Sequence, residues 1–166
     1  MGPRVEQRGG VRFICPVDAD FGGTWIAVNE YGVSLCLLNG VGLGQMAPGG
    51  HPDSGAGRSR GLLIRELIVG ESAGDCVLSL KQLDLNPYAP FTLVVLEPGR
   101  PAAIAEWNGE IIRITPSGDA HMPLTSSSFN PQRVRQTRLN EFARRVELAG
   151  QVEPSLLYWF HSSHSA

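Results

Sequence analysis

Cys15, Cys36 and Cys76 are the side chains with the greatest intrinsic nucleophilicity in the chain. Each sits among apolar neighbours, and burial in such surroundings raises a thiol's pKa and keeps it inert, so all three are expected to be structural. Their odd number and irregular spacing fit reduced thiols of a cytoplasmic protein better than a disulfide framework or a zinc site. Arg58 and Arg60 flank the end of a long loop and could hold a carboxylate, although arginines beside a helix start are more commonly solvated. His161 and His164 stand three apart near aromatic residues but lack a third ligand, so the sequence calls for no metal and no cofactor. Arg133, Arg135, Arg138, Arg144 and Arg145 form the main basic concentration, interrupted by Glu141 and Glu147. That pattern suits a solvated helix face and gives no reason to expect nucleic acid as a partner.

These residues need a scaffold, and the whole chain bounds it. With 166 residues, 42% of them apolar, the length suits a single domain over residues 1–166 that buries a real core. The formal charge of −2 gives no single-sign field to draw the protein onto phosphates or an anionic membrane. Residues 1–10 carry charge and glycine where a secretory signal would be apolar, and no later stretch reaches the roughly eighteen consecutive apolar residues of a membrane span. Glu6 stands where a myristoylation motif wants Ser or Thr.

Along the chain, 11–14 is a short apolar-rich run stopped by Pro16, expected as an edge or terminal strand because proline cannot donate to a ladder. Residues 24–29 and 33–38 form a predicted hairpin with Gly32 in its turn, and the second arm is apolar enough to be covered on both sides. Residues 40–57 are rich in glycine, proline and small polar residues, a loop long enough to act as a lid. Ser59 is expected to cap a short helix at 62–68, with a second helix at 76–83 ending near Asn86-Pro87. Residues 91–96, 102–107 and 111–115 predict a three-stranded meander whose second turn is Asn108-Gly109. An apolar stripe of Val134, Leu139, Phe142, Val146 and Ala149 predicts a helix over 131–148. Sheet, helices, sheet, helix adds up to an α+β layered domain. Trp25 is expected to pack in the core or stack at a pocket mouth.

The run Gly22-Gly23-Thr24-Trp25-Ile26-Ala27-Val28-Asn29, followed by Gly32 and Leu38-Asn39, together with Ser59-Arg60-Gly61, resembles the NRDE family. That family includes the transport and Golgi organisation protein 2 relatives and is similar to N-terminal-nucleophile hydrolases. Weaker echoes are the hairpin containing Gly109, Ser126-Ser127-Ser128, and Phe160-His161-Ser162-Ser163-His164.

The resemblance implies a four-layer α/β/β/α sandwich. It also implies a strand-end asparagine, here Asn39, that donates to a developing oxyanion, and a second donor at the position of Ser127. For both, the residue types alone fit a plainer role: Asn39 as a strand-end residue bonding local backbone, Ser127 in a polar turn before a helix. In such hydrolases the first residue supplies both nucleophile and base, and relatives typically start Met-Cys and carry Asn-Arg-Asp-Glu; neither is found here. The chain therefore resembles a family core without its edge strands, whose open edges would favour a homo-oligomer. Two functions follow. One is a non-catalytic module that binds a small ligand, with haem or an acyl compound suggested by relatives, or acts in trafficking. The other is a cysteine amide hydrolase whose nucleophile lies upstream, with an amide as substrate and Asn39 and Ser127 as donors.

Overall fold

A computed structural model describes residues 2–40, 57–119, 124, 131–156 and 158. The loop expected as a lid lies almost entirely outside them, as do Ser126, Ser127, Ser128, His161 and His164. The chain divides into two compact units, Met1–Ala120 and His121–Ala166.

The first unit holds one antiparallel sheet of seven strands in simple chain order: β1 Arg4–Arg8, β2 Val11–Cys15, β3 Ile26–Asn29, β4 Ser34–Asn39, β5 Phe91–Leu96, β6 Ala103–Trp107 and β7 Ile112–Thr115. Between β4 and β5 the chain leaves the sheet to form α1, Gly61–Leu67, and α2, Ala73–Gln82. α1 packs on β3 and β4, and α2 on β5 and β6. The expected α+β class holds, with one helical layer on one sheet in this unit.

Register decides which residues meet that layer. Phe13 pairs with Asn29, Ala27 with Leu35, Leu35 with Val95, Leu93 with Ala105 and Phe91 with Trp107, and directly opposed residues share a face. This face joins Leu63, Ile64, Leu67, Ile68, Cys76 and Leu80 in one buried core. Leu63, Ile64 and Leu67 recur at the spacing of a helical stripe, which is why so short a helix docks without a side-chain cap. Each such side chain contributes about 1.5–3 kcal/mol by leaving water. The opposite face is more open: Ile14, Ile26 and Val28 are exposed, and Ser34, Cys36 and Leu38 are half-buried. The second arm of the hairpin is thus sealed on one side and half-open on the other.

Three expectations change. The strand at 11–15 is not an edge: β1, Arg-Val-Glu-Gln-Arg, pairs with it over its full length, and β1 is outermost. The two join through Gly9 and Gly10, both at positive φ (58° and 87°), as a tight primed turn requires. The first helix does not start at a Ser59 cap; Arg60 stands there with no side-chain cap bond, and Ser59 only accepts Leu62 N–H through its carbonyl (3.1 Å). The second helix starts three residues earlier than expected, because Ser72 and Asp75 close a reciprocal capping box.

In the second unit α3 runs Pro131–Ala149, close to its predicted span, and stops at Gly150, whose N–H bonds Val146 O (2.9 Å) at φ 73°. Glu141 lies between Arg144 and Arg145 and pairs with both, so part of the basic row is neutralised along its own helix.

Candidate functional site

One buried side chain anchors the turn of the β3–β4 hairpin. Asn29 is buried, and its amide donates to Ile68 O (2.8 Å) and Gly70 O (2.7 Å). Its Oδ1 accepts from Tyr31 N (3.1 Å) and Val33 N (3.0 Å). A primary amide has two donor hydrogens and two acceptor lone pairs, and here all four are satisfied. Asn29 therefore clamps the turn to the end of α1 and has no capacity left for a ligand. Gly32, at φ 83°, lets the turn close around it.

The two motifs that carried the resemblance touch each other. Thr24 N–H bonds Gly61 O (3.1 Å). A Cβ on Gly23 would fall 2.9 Å from Gly61 Cα, and one on Gly61 would fall 2.8 Å from Thr24 N. Only glycine permits backbones to approach so closely. Next to this contact, Arg60 Nη1 donates to Pro90 O (2.9 Å), the carbonyl that also receives Gly40 N–H (3.0 Å). Burial holds the Arg60 guanidinium below its usual pKa range. Arg58 lies over the Tyr88 ring, 5.6 Å from its centroid, and pairs with Glu66. The carboxylate it could hold is thus the chain's own, and neither arginine is simply solvated. Burial first, then the neighbouring Glu66, raises the Tyr88 phenol. Trp25, by contrast, is 57% exposed and does not enter the core.

Asn39 ends β4 in register with Phe91, exposed at the point where the chain turns out through Gly40. Ser127, the other expected donor, lies outside the described residues. The thiols are all held above their ordinary pKa. Cys15 is raised by burial and then by Glu6, and Cys36 by burial. Cys76 is pushed up to about 11 by burial and then Asp75, with its Sγ–H donating to Leu67 O (3.2 Å). Among the described residues, no group of three His, Cys, Asp or Glu side chains could hold a metal, and no helix is long and apolar enough to cross a membrane.

A recess of about 410 Å³ opens at the other end of the helical layer, between the start of α2 and the edge of the sheet. Val77, Ala103 and Ile114 line it, and Glu97 and Arg100 border it from the β5–β6 turn. It exists because α2 packs on β5 and β6 and, among the described residues, no helix packs on β7, whose Ile112 and Ile114 are only partly buried. Glu97 accepts Ala73 N–H (2.8 Å), fixing the turn against the first residue of the helix. Residue types gave no warning of this recess. Its one local signal is the Ser72-x-x-Asp75 capping box, which sets where α2 begins.

A profile of the family described as Transport and Golgi organisation 2 matches residues 6–147. The chain belongs to this family. The match covers the Gly22-to-Asn39 hairpin, the Ser59-Arg60-Gly61 turn, both helices of the first unit, the meander and nearly all of α3. The His161-Ser162-Ser163-His164 echo falls beyond it. No curated protein sequence matches the chain at a significant level. In this member of the Transport and Golgi organisation 2 family, the hairpin and the Ser-Arg-Gly turn meet in a backbone contact and a saturated clamp. Among the described residues, a space of about 410 Å³ lies elsewhere, at the β7 edge.

Proposed function

We propose that this chain is a non-catalytic, ligand-binding member of the Transport and Golgi organisation 2 family, acting in trafficking as a single domain. The recess at the β7 edge carries this reading: its volume of about 410 Å³ lies within the range of about 300–1,000 Å³ typical of small-molecule sites, and its lining is largely apolar. The thiols support it from the other side, since each is held in a state unsuited to attack. Haem and acyl compounds are the ligand classes that the family resemblance suggests, and three free thiols suit a cytoplasmic setting. The test is titration of the full chain with hemin and with palmitate, followed by visible absorbance and by thermal unfolding. Saturable binding of either, weakened by Ala103→Phe, is the expected result. Binding of neither, with turnover of amide substrates instead, would replace this reading.

A second reading keeps Asn39 and Ser127 as oxyanion donors of an amide hydrolase whose nucleophile lies upstream. For that role Asn39, exposed at the end of β4, would have to be held rigidly against the substrate and shielded from water. In a chain extended to a cysteine start, Asn39→Ala should then lower kcat by about a hundredfold.

A further inference from the structure

The charges bordering the β7-edge recess narrow what can occupy it. The start of α2 is already neutralised, because Asp75 and Ser72 cap each other and Glu97 takes the Ala73 N–H. A simple anion would meet two carboxylates there and gain little from the helix end. A simple amine is drawn to Glu97 but meets Arg100, which also borders the space. Among the described residues, no ion pair joins Arg100 to Glu97, so the Arg100 guanidinium and the Glu97 oxygen that does not take the Ala73 N–H face a ligand. The floor between them is apolar: Val77 from α2, Ala103 from β6 and Ile114 from β7.

One acidic and one basic group beside an apolar floor complement a molecule with one positive charge, one negative charge and a hydrocarbon body. We propose that the recess binds a free α-amino acid with a large apolar side chain. Its ammonium would rest on Glu97, its carboxylate on Arg100, and its side chain on Val77, Ala103 and Ile114. The inference rests on the small-ligand reading above and names the ligand class.

Three matched probes test it: L-phenylalanine, phenethylamine, which lacks the carboxylate, and 3-phenylpropionate, which lacks the ammonium. Isothermal titration of the full chain should show L-phenylalanine binding at least about tenfold more tightly than either of the others, a difference of about 1.4 kcal/mol. Arg100→Ala should remove most of the preference over phenethylamine, and Glu97→Gln most of that over 3-phenylpropionate, the glutamine keeping an acceptor for Ala73 N–H. Ala103→Phe should abolish binding by filling the space, with thermal unfolding used to confirm that it folds; Arg100→Ala, on an exposed turn, gives the second check. Equal binding of phenethylamine or 3-phenylpropionate overturns the assignment, as does L-phenylalanine binding that survives Arg100→Ala and Ala103→Phe unchanged. If palmitate or hemin binds at this recess while L-phenylalanine does not, the amino-acid assignment fails and the small-ligand reading stands. If none binds, both fail.

Discussion

Over β3 and β4 the helical layer is locked to the sheet: Gly23 and Gly61 meet backbone to backbone, and Asn29 has every hydrogen-bonding group engaged. Over β6 and β7 the same layer stops short, and a space of about 410 Å³ lies open beside Gly74, which has room around it. The contrast separates two uses of conspicuous residues. Glycines and asparagine in a recognisable motif mark where backbones must approach closely, which is a demand of the fold. The recess depends on how far a helix extends across a sheet, which no short motif encodes.

The largest expected effect breaks the locked end. Asn29→Ala would remove the partner of Ile68 O and Val33 N in buried bonds and of Gly70 O and Tyr31 N in part-buried ones. Leaving such groups unsatisfied should cost about 3 kcal/mol of stability, read from the urea midpoint at unchanged slope. A loss below about 1 kcal/mol would show that the hairpin does not depend on this clamp. Gly61→Ala comes next. Its new methyl would lie 2.8 Å from Thr24 N and 2.9 Å from Gly23 Cα, and backbone atoms give way less easily than side-chain ends. A loss of about 2 kcal/mol is expected, within the usual range for overpacking.

Much of the fold was visible in the residues where local chemistry determines it. Asn108-Gly109 and Gly32 fixed two hairpins to within a residue or two, and the apolar stripe from Val134 to Ala149 placed α3. β1 was not visible, because Arg4, Glu6 and Arg8 put charge where a strand pattern would show alternating apolar residues; the signal was the Gly9-Gly10 turn after it. Ser59 drew attention as a cap ahead of an apolar run, while the true capping box at Ser72 needed the aspartate three residues on. Trp25 was expected in the core or at a pocket mouth; at 57% exposed it is not in the core. Arg58 and Arg60 stood out in the sequence, but Arg60 reaches Pro90 and Arg58 reaches the Tyr88 ring some thirty residues on, contacts that single-sequence patterns do not connect.

Between the two ends lies Cys76, whose titration gives a smaller effect with a defined sign. Its pKa rises from an ordinary 9.0 to about 11, so the folded state keeps its proton where the unfolded chain has lost it. Stability from this group is complete below pH 9 and is lost as pH rises toward 11. Wild-type protein should therefore lose stability over that window more steeply than Cys76→Ala, by on the order of 1 kcal/mol, measured as urea midpoints at matched pH. Equal slopes would mean that the thiol is not shielded as its position on α2, against the end of α1, implies.

The smallest effect has the opposite sign and sharpens the contrast most directly. Gly74 is the second residue of α2, and a Cβ built there meets only Ser72 Oγ at 3.6 Å, an ordinary contact. Gly74→Ala should therefore incur no packing penalty while reducing the freedom of the unfolded chain. A gain of about 0.5 kcal/mol is expected, below the full helix-interior value because the position lies in the first turn. That corresponds to a rise in Tm of about 1–2 °C for a chain of this size. The same substitution, glycine to alanine, would then destabilise at residue 61 and stabilise at residue 74. A loss at residue 74 instead would mean that the helix start is as tightly enclosed as the hairpin contact, leaving less room at the recess than its volume indicates.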